Sequence, residues 1–314
     1  MYPRIGFHVS ISRGISNSVD NALNIDCNAF QIFSRNPRGW TAKPLQDDDV
    51  ENFRQKVNNS KIDRDSIFVH MPYLPNLSSS ERELHKKSTD TFMEEIRRCD
   101  ALGIRYVILH LGKHGAKGKE HGINQLVEAC NFAIDNYYSK RLPAIIAKRK
   151  KKNNGSEYDK SINIVLENSA GGKNSIGSKF DELGLILDKL ESSSRTISFS
   201  ICLDTCHAFA AGYDLRTGEG VNETLDKFRS EIGLSYLKVI HLNDSKHALN
   251  SNRDRHEHIG LGKIGKEGFR ELLRHKTVRK LPIIMETPID RRRDDPGNLK
   301  VVMDLLTNKK RRKE

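Results

Sequence analysis

The chain has 314 residues, 30% of them charged and 36% hydrophobic, with 53 Lys and Arg against 41 Asp and Glu for a formal net charge of +12. Its apolar runs fall far short of the roughly 18 residues a membrane helix needs, and Met1, Tyr2, Pro3 and Arg4 lead straight into a strand rather than a signal peptide. Five cysteines, odd in number and in no ligand-pair spacing, suit an intracellular reducing compartment, cytoplasmic or nuclear, better than a disulfide framework. The positive balance favours a polyanionic partner such as nucleic acid.

The first strand is predicted over residues 4–10, with His8 near its end, and a helix then runs to about Asn24. Residues 29–33 make the second strand. A polar loop with Arg38, Gly39 and Trp40 follows, then a helix over 47–58 with three Asp in its first turn, where the helix dipole favours them. The third strand, 66–69, leads into a loop with Pro72, Tyr73, Leu74 and Pro75, and then a long helix capped by Gly103. The fourth strand covers 105–109, and a Gly- and Lys-rich loop precedes a helix over 122–138. Residues 141–160 break the rhythm: Lys148, Arg149, Lys150, Lys151 and Lys152 form a charge block without apolar periodicity, read as a mobile insertion. Four further strand and helix pairs follow, with strands at 162–166, 197–203, 236–240 and 282–285. A long loop over 243–264 and a basic tail over 309–314 complete the chain.

Eight strands alternate with helices, and most strands are apolar on successive residues, so helices must cover them outside. The expected fold is a (β/α)8 TIM barrel, one domain over residues 1–308, since a barrel of ~250 residues absorbs most of this length. An open doubly wound sheet would need a phosphate-binding glycine turn after the first strand, and Gly6 and Gly14 lack that spacing.

Six strands end on a metal-type residue: His70, His110, Glu167, Asp204, His241 and Glu286, with His8 a weaker case. A barrel brings its strand C-termini to one mouth, so these groups share a pocket. Imidazole and carboxylate donors suit zinc or manganese. Carboxylates crowded together without a cation would repel, and the repetition of such groups at equivalent strand ends argues for more than one metal. Asp204 could instead simply cap the next helix. In the long loop, Asp254 and His256 can point the same way from an extended segment and, with His207, make a third site. The competing reading of that loop is a solvated charge run.

The stretches Gly6–Phe7–His8–Val9–Ser10, Glu167–Asn168–Ser169–Ala170–Gly171, Cys202–Leu203–Asp204–Thr205–Cys206–His207–Ala208–Phe209, His241–Leu242–Asn243–Asp244 and Asp254–Arg255–His256 resemble the endonuclease IV family of zinc-dependent abasic-site nucleases. The resemblance spans about residues 4–288. It implies three zinc ions, with manganese an alternative at some positions: His70, His110 and Glu167 on the first; Glu167 as bridge with Asp204, His241 and Glu286 on the second; His207, Asp254 and His256 on the third. Glu167 and Glu286 would be the catalytic carboxylates, Glu286 also orienting the water, and His8 would lie beneath the cluster. The implied substrate is duplex DNA with abasic sites or blocked 3′ ends, cut by a monomer on the 5′ side of the lesion to leave a 3′-hydroxyl and a 5′ deoxyribose phosphate. Arg38, Tyr73 and Leu74 fall where the family inserts groups into the groove, while Trp40 could equally pack under its loop. Gly39 replaces a residue usually polar in the family. The rivals are a sugar isomerase or epimerase of the same barrel type, which has no use for the Asp254 loop, and a binding module that has lost catalysis, which would show a broken ligand set.

Overall fold

The structure, a computed structural model, describes residues 3–151, 162–193 and 198–307. In chain order it runs β1 (Arg4–His8), α1 (Asn17–Asn24), β2 (Ala29–Phe33), α2 (Asp47–Asn58), β3 (Ile67–His70) and α3 (Arg82–Leu102). Then come β4 (Tyr106–His110), α4 (Lys119–Lys151), β5 (Asn163–Glu167), α5 (Phe180–Ser193), β6 (Ser198–Asp204) and α6 (Thr205–Ala210). The last part holds α7 (Gly218–Glu231), β7 (Leu237–His241), β8 (Asp244–Ser245), β9 (His256–Glu257), α8 (Gly265–Arg274), β10 (Pro282–Met285) and α9 (Asp295–Thr307). The strands β1, β2, β3, β4, β5, β6, β7 and β10 close into an all-parallel barrel, and β8 and β9 form a two-residue antiparallel ribbon inside the long loop.

Strands buried on both faces need apolar side chains on both, which is why their sequences do not alternate. Ala29, Phe68, Tyr106, Ile108, Val165, Cys202, Val239 and Ile284 fill the barrel interior, and a larger apolar layer lies between strands and helices. Close strand approach sets one glycine: a Cβ on Gly6 would sit 1.6 Å from the Ala29 carbonyl oxygen. The register then levels the chemistry, pairing His8 with Gln31, Phe33 with His70, His110 with Glu167 and Asp204 with His241.

Three local readings change. Helix α4 does not stop at Tyr138 but continues to Lys151, so residues 141–151 of the segment read as an insertion are helical. Ala, Lys and Arg are strong helix formers, and they prolong the helix beyond its apolar face. The rest of that segment, 152–160, the start of the sixth strand at Ile197 and the tail 309–314 lie outside the described residues. The short helix α6, which only the capping alternative for Asp204 anticipates, follows β6 directly. Asp49, expected to serve the dipole of its own helix, instead accepts from the backbone N–H of Ile15 and Ser16 at 2.6 and 3.0 Å and so caps α1. Gly103 ends α3 with a left-handed φ of 72°, as expected. Among the described residues no helix is long and apolar enough to cross a membrane.

Candidate metal centre

The strand ends deliver His70, His110, Glu167, Asp204, His241 and Glu286 to the C-terminal mouth, and α6 and the long loop add His207, Asp254 and His256. They fall into three groups, in each of which the donor atoms lie within 4.8 Å of one another: His70, His110, Glu167; then Glu167, Asp204, His241, Glu286; then His207, Asp254, His256. Glu167 joins the first two. Its Oε2 lies 3.0 Å from Nε2 of both His70 and His110, while its Oε1 lies 3.0 Å from Nδ1 of His241.

Backbone carbonyls orient the imidazoles. A carbonyl only accepts, so His70, His207 and His256 each donate from Nδ1, to the oxygens of Met71, Asn168 and Glu286 at 2.7, 2.9 and 3.1 Å. Their Nε2 lone pairs are thereby turned into the mouth. His207 Nε2 and His256 Nε2 are buried without a hydrogen-bond partner, although Asp254 Oδ1 stands 3.2 and 3.5 Å away. Two buried, unsatisfied nitrogens around one carboxylate are what a cation-binding site leaves when described without its ion. The residues present therefore fit a metal.

The electrostatics agree. Burial would raise Glu167, but His110 and His241 outweigh it and hold the carboxyl well below its usual range. Burial works against a charged His207, yet Asp204 and Asp254 raise it well above the ordinary value. Asp254 resists its own burial and is pulled down to about 2 by His207 and His256. Each shift records carboxylate and imidazole packed together in one buried mouth, the carboxylates held in their charged form. Two thiols stand beside these groups, Cys202 near Glu167 and His241 and Cys206 near Asp204 and His256, and burial pushes Cys202 up to about 12.

The third group depends on how its loop is tied down. The left-handed Asn250 and Asn252 donate their N–H groups to the carbonyls of Phe209 and Ala210 in α6, at 3.1 and 2.9 Å. Asp244 accepts from the N–H groups of Gly260, Gly262 and Ile264 at 2.9, 3.0 and 2.9 Å, closing the loop's far side. Asp204 caps α6 by accepting from His207 N at 2.8 Å, and the same carboxylate lies in the cluster, so the cap does not take it out of the mouth.

Residue type alone gave Asn168, Asn243 and Gln31 no role. Asn168 exchanges two hydrogen bonds with the Asp204 backbone, at 2.7 and 3.1 Å, and Asn243 bridges Asp204 Oδ2 to the Glu286 N–H at 2.7 and 2.8 Å. Gln31 contacts His241, Glu286 and His8. Its signal was a lone amide in the otherwise apolar strand Ala29–Phe33. His8 lies beside Glu286, with Nδ1 3.5 Å from Oε1, and burial lowers it despite that carboxylate.

A cavity of about 390 Å³ opens over the cluster, lined by His110, Glu167, His207 and Asp254 and, on its rim, by Tyr73 and Leu74. Tyr73 and Leu74 are 60% and 38% exposed, unusual for such side chains, and Arg38 is exposed on the adjacent loop. Tyr73 rests edge-on against Phe33, with ring centres 5.0 Å apart, and its N–H donates to the Pro37 carbonyl. Trp40 turns to α3 instead, where Lys87 Nζ lies 4.5 Å from its ring centre. Another cavity of about 350 Å³, lined by Asp63, Asp65, Asp100 and Arg105, lies where β3 and β4 begin, the end at which barrels keep stability rather than chemistry.

Fold and mouth together define a xylose isomerase-like TIM barrel, and the profile of that description matches residues 19–309. The probable endonuclease 4 of Cenarchaeum symbiosum (strain A) is 48% identical, over 96% of this chain and 99% of that protein. The probable endonuclease 4 of Nitrosopumilus maritimus (strain SCM1) is 46% identical, over 95% and 98%. Crystalline endonuclease IV from Thermus thermophilus superposes with a TM-score of 0.77 at 31% identity, over 97% of this chain and 99% of its own. The chain belongs to the endonuclease IV family.

Proposed function

We propose that this protein is a DNA repair nuclease that hydrolyses the phosphodiester 5′ of an abasic site in duplex DNA and also trims blocked 3′ ends. The nine donors would hold three zinc ions in the three groups described, with manganese an alternative at some positions, and the enzyme would act as a monomer in a reducing compartment. The observation that carries the reading is Glu167, whose two oxygens face two different imidazole sets at 3.0 Å. A sugar isomerase has no need of the third group, and a module without catalysis would not keep all nine donors.

Zinc in such a centre lowers the pKa of water and offsets charge on the phosphoryl oxygens. The protein's own groups do the rest. Burial would raise the Glu286 carboxyl, but His241 and His8 outweigh it and hold it below its usual range, so it is ionised, suited to be a ligand and placed to orient the attacking water. The water oxygen bonds to phosphorus as the bond to the 3′-oxygen breaks, and the proton the water gives up ends on that departing oxygen, giving a 3′-hydroxyl and a 5′ deoxyribose phosphate. His207, Asp254 and His256, on the outer side of the cluster, would orient the phosphate. Tyr73, Leu74 and Arg38 would occupy the gap left by the missing base, since a nucleotide without a base is the cheapest to turn out of the stack.

The test is a duplex carrying one abasic site, incubated with and without a strong chelator. Cleavage 5′ of the site that the chelator abolishes supports the reading; chelator-resistant cleavage, or none with zinc present, refutes it.

A further inference from the structure

Gln31 sits in mid-β2 with 0% exposure, and every polar atom of its side chain is engaged. Its Oε1 lies 2.9 Å from His241 Nε2, and its Nε2 lies 2.7 Å from Glu286 Oε1 and 2.9 Å from His8 Nδ1. Flipping the amide would set its oxygen against the Glu286 carboxylate at that distance, so Glu286 fixes its orientation. The amide oxygen can only accept, and therefore His241 Nε2 carries the hydrogen and donates it.

That bond decides which nitrogen His241 offers to the mouth. Its Nδ1 is left facing Glu167 Oε1, Glu286 Oε2 and Asp204 Oδ2 at 3.0, 3.5 and 3.9 Å. His70, His207 and His256 present Nε2 and are oriented by backbone carbonyls, which substitution cannot remove. His241 presents the opposite nitrogen and is oriented by a side chain. The same side chain also donates to Glu286, another of the four donors of that group.

We propose that Gln31 is a positioning residue of the metal centre: it selects Nδ1 of His241 as the ligating nitrogen and holds Glu286 toward the same ion. This rests on the zinc reading above. Loss of such an outer partner weakens metal binding about 10- to 100-fold.

The experiment compares the full-length protein with Q31L and Q31E, using zinc alone in competition with a chromophoric chelator. Imidazole N–H proton resonances of the zinc-loaded proteins are recorded alongside. Q31L should release one of its zinc ions at roughly 10- to 100-fold weaker chelation than the parent, keep the others, and lose the slowly exchanging His241 Nε2–H resonance. Q31E keeps an acceptor for His241 but sets a carboxylate against Glu286, so it should retain that resonance and still lose the same ion early. Parental zinc affinity and resonance in Q31L would overturn the inference while leaving the zinc reading intact. A parent that holds no zinc would instead overturn the reading itself. Should Q31L not fold, Q31E decides: early loss of one ion supports the role, and parental zinc binding overturns it.

Discussion

At the scale of single residues, Glu167 is the side chain that two of the three cysteine-free donor groups share. Glu167→Gln keeps the size but removes the charge and turns one bridging oxygen into a donor. Cleavage of abasic duplex should fall by more than the ~10–100-fold typical of losing an outer partner, with an unchanged circular dichroism spectrum. Full activity in that variant would end the bridged reading. Tyr73 and Leu74 act on the DNA side. They stay exposed at the rim of the cavity when most apolar side chains of their size are buried. Burying such a group in a complex contributes about 1.5–3 kcal/mol, so Tyr73→Ala and Leu74→Ala should each weaken binding to abasic duplex roughly tenfold or more. Intact duplex should be much less affected and zinc content unaltered. Equal losses on both duplexes would reduce the loop to a general backbone contact.

Elements set where those residues stand, and two joints between elements can be probed. β1 and β2 approach so closely at Gly6 that a methyl group there would collide with the Ala29 carbonyl. Gly6→Ala should cost about 3 kcal/mol or more in denaturant unfolding, because a backbone contact cannot yield as a side chain does. Asp49 joins α2 to the start of α1. Burial opposes its ionisation, but hydrogen bonds from Ser16 and Ile15 prevail and lower its pKa from 3.8. A depressed carboxyl stabilises the fold above its unfolded value and loses that contribution as pH falls through the folded one. Asp49→Ala should therefore cost about 1 kcal/mol at neutral pH, a difference that stays flat down to about pH 4 and shrinks only below it. A difference that already decays well above that range would assign the cap to another group. These joints also mark the limits of sequence reading. Eight strands and their terminal donors were legible because burial on both faces leaves a plain apolar run and a metal donor at its end stands out. The extension of α4 to Lys151 was not, since the run of Lys and Arg from residue 148 carries no apolar periodicity. Helix α6 was hidden for a related reason: its six residues are all buried, so no polar face betrays it.

Across the whole molecule, the barrel makes nine separated positions into one centre, which explains why repetition at strand ends was a better guide than any single histidine. Gln31, Asn168 and Asn243 escaped the same logic, because an amide has no metal preference and declares itself only through the groups it touches. The +12 charge acts at this scale too. Changing Lys148, Arg149, Lys150, Lys151 and Lys152 to Gln should lower the slope of log affinity against log salt by up to ~0.9 for each charge that meets a phosphate. An unchanged slope would keep that segment off the DNA. A bridged zinc centre that cuts at abasic sites can be tested by returning zinc stepwise to metal-stripped protein. At each step the initial rate on a duplex with one abasic site is measured. The rate should rise from near zero and level off at about three zinc ions per chain, with every product ending in a 3′-hydroxyl. A plateau at one or two ions, or cleavage before any zinc is added, would contradict the account.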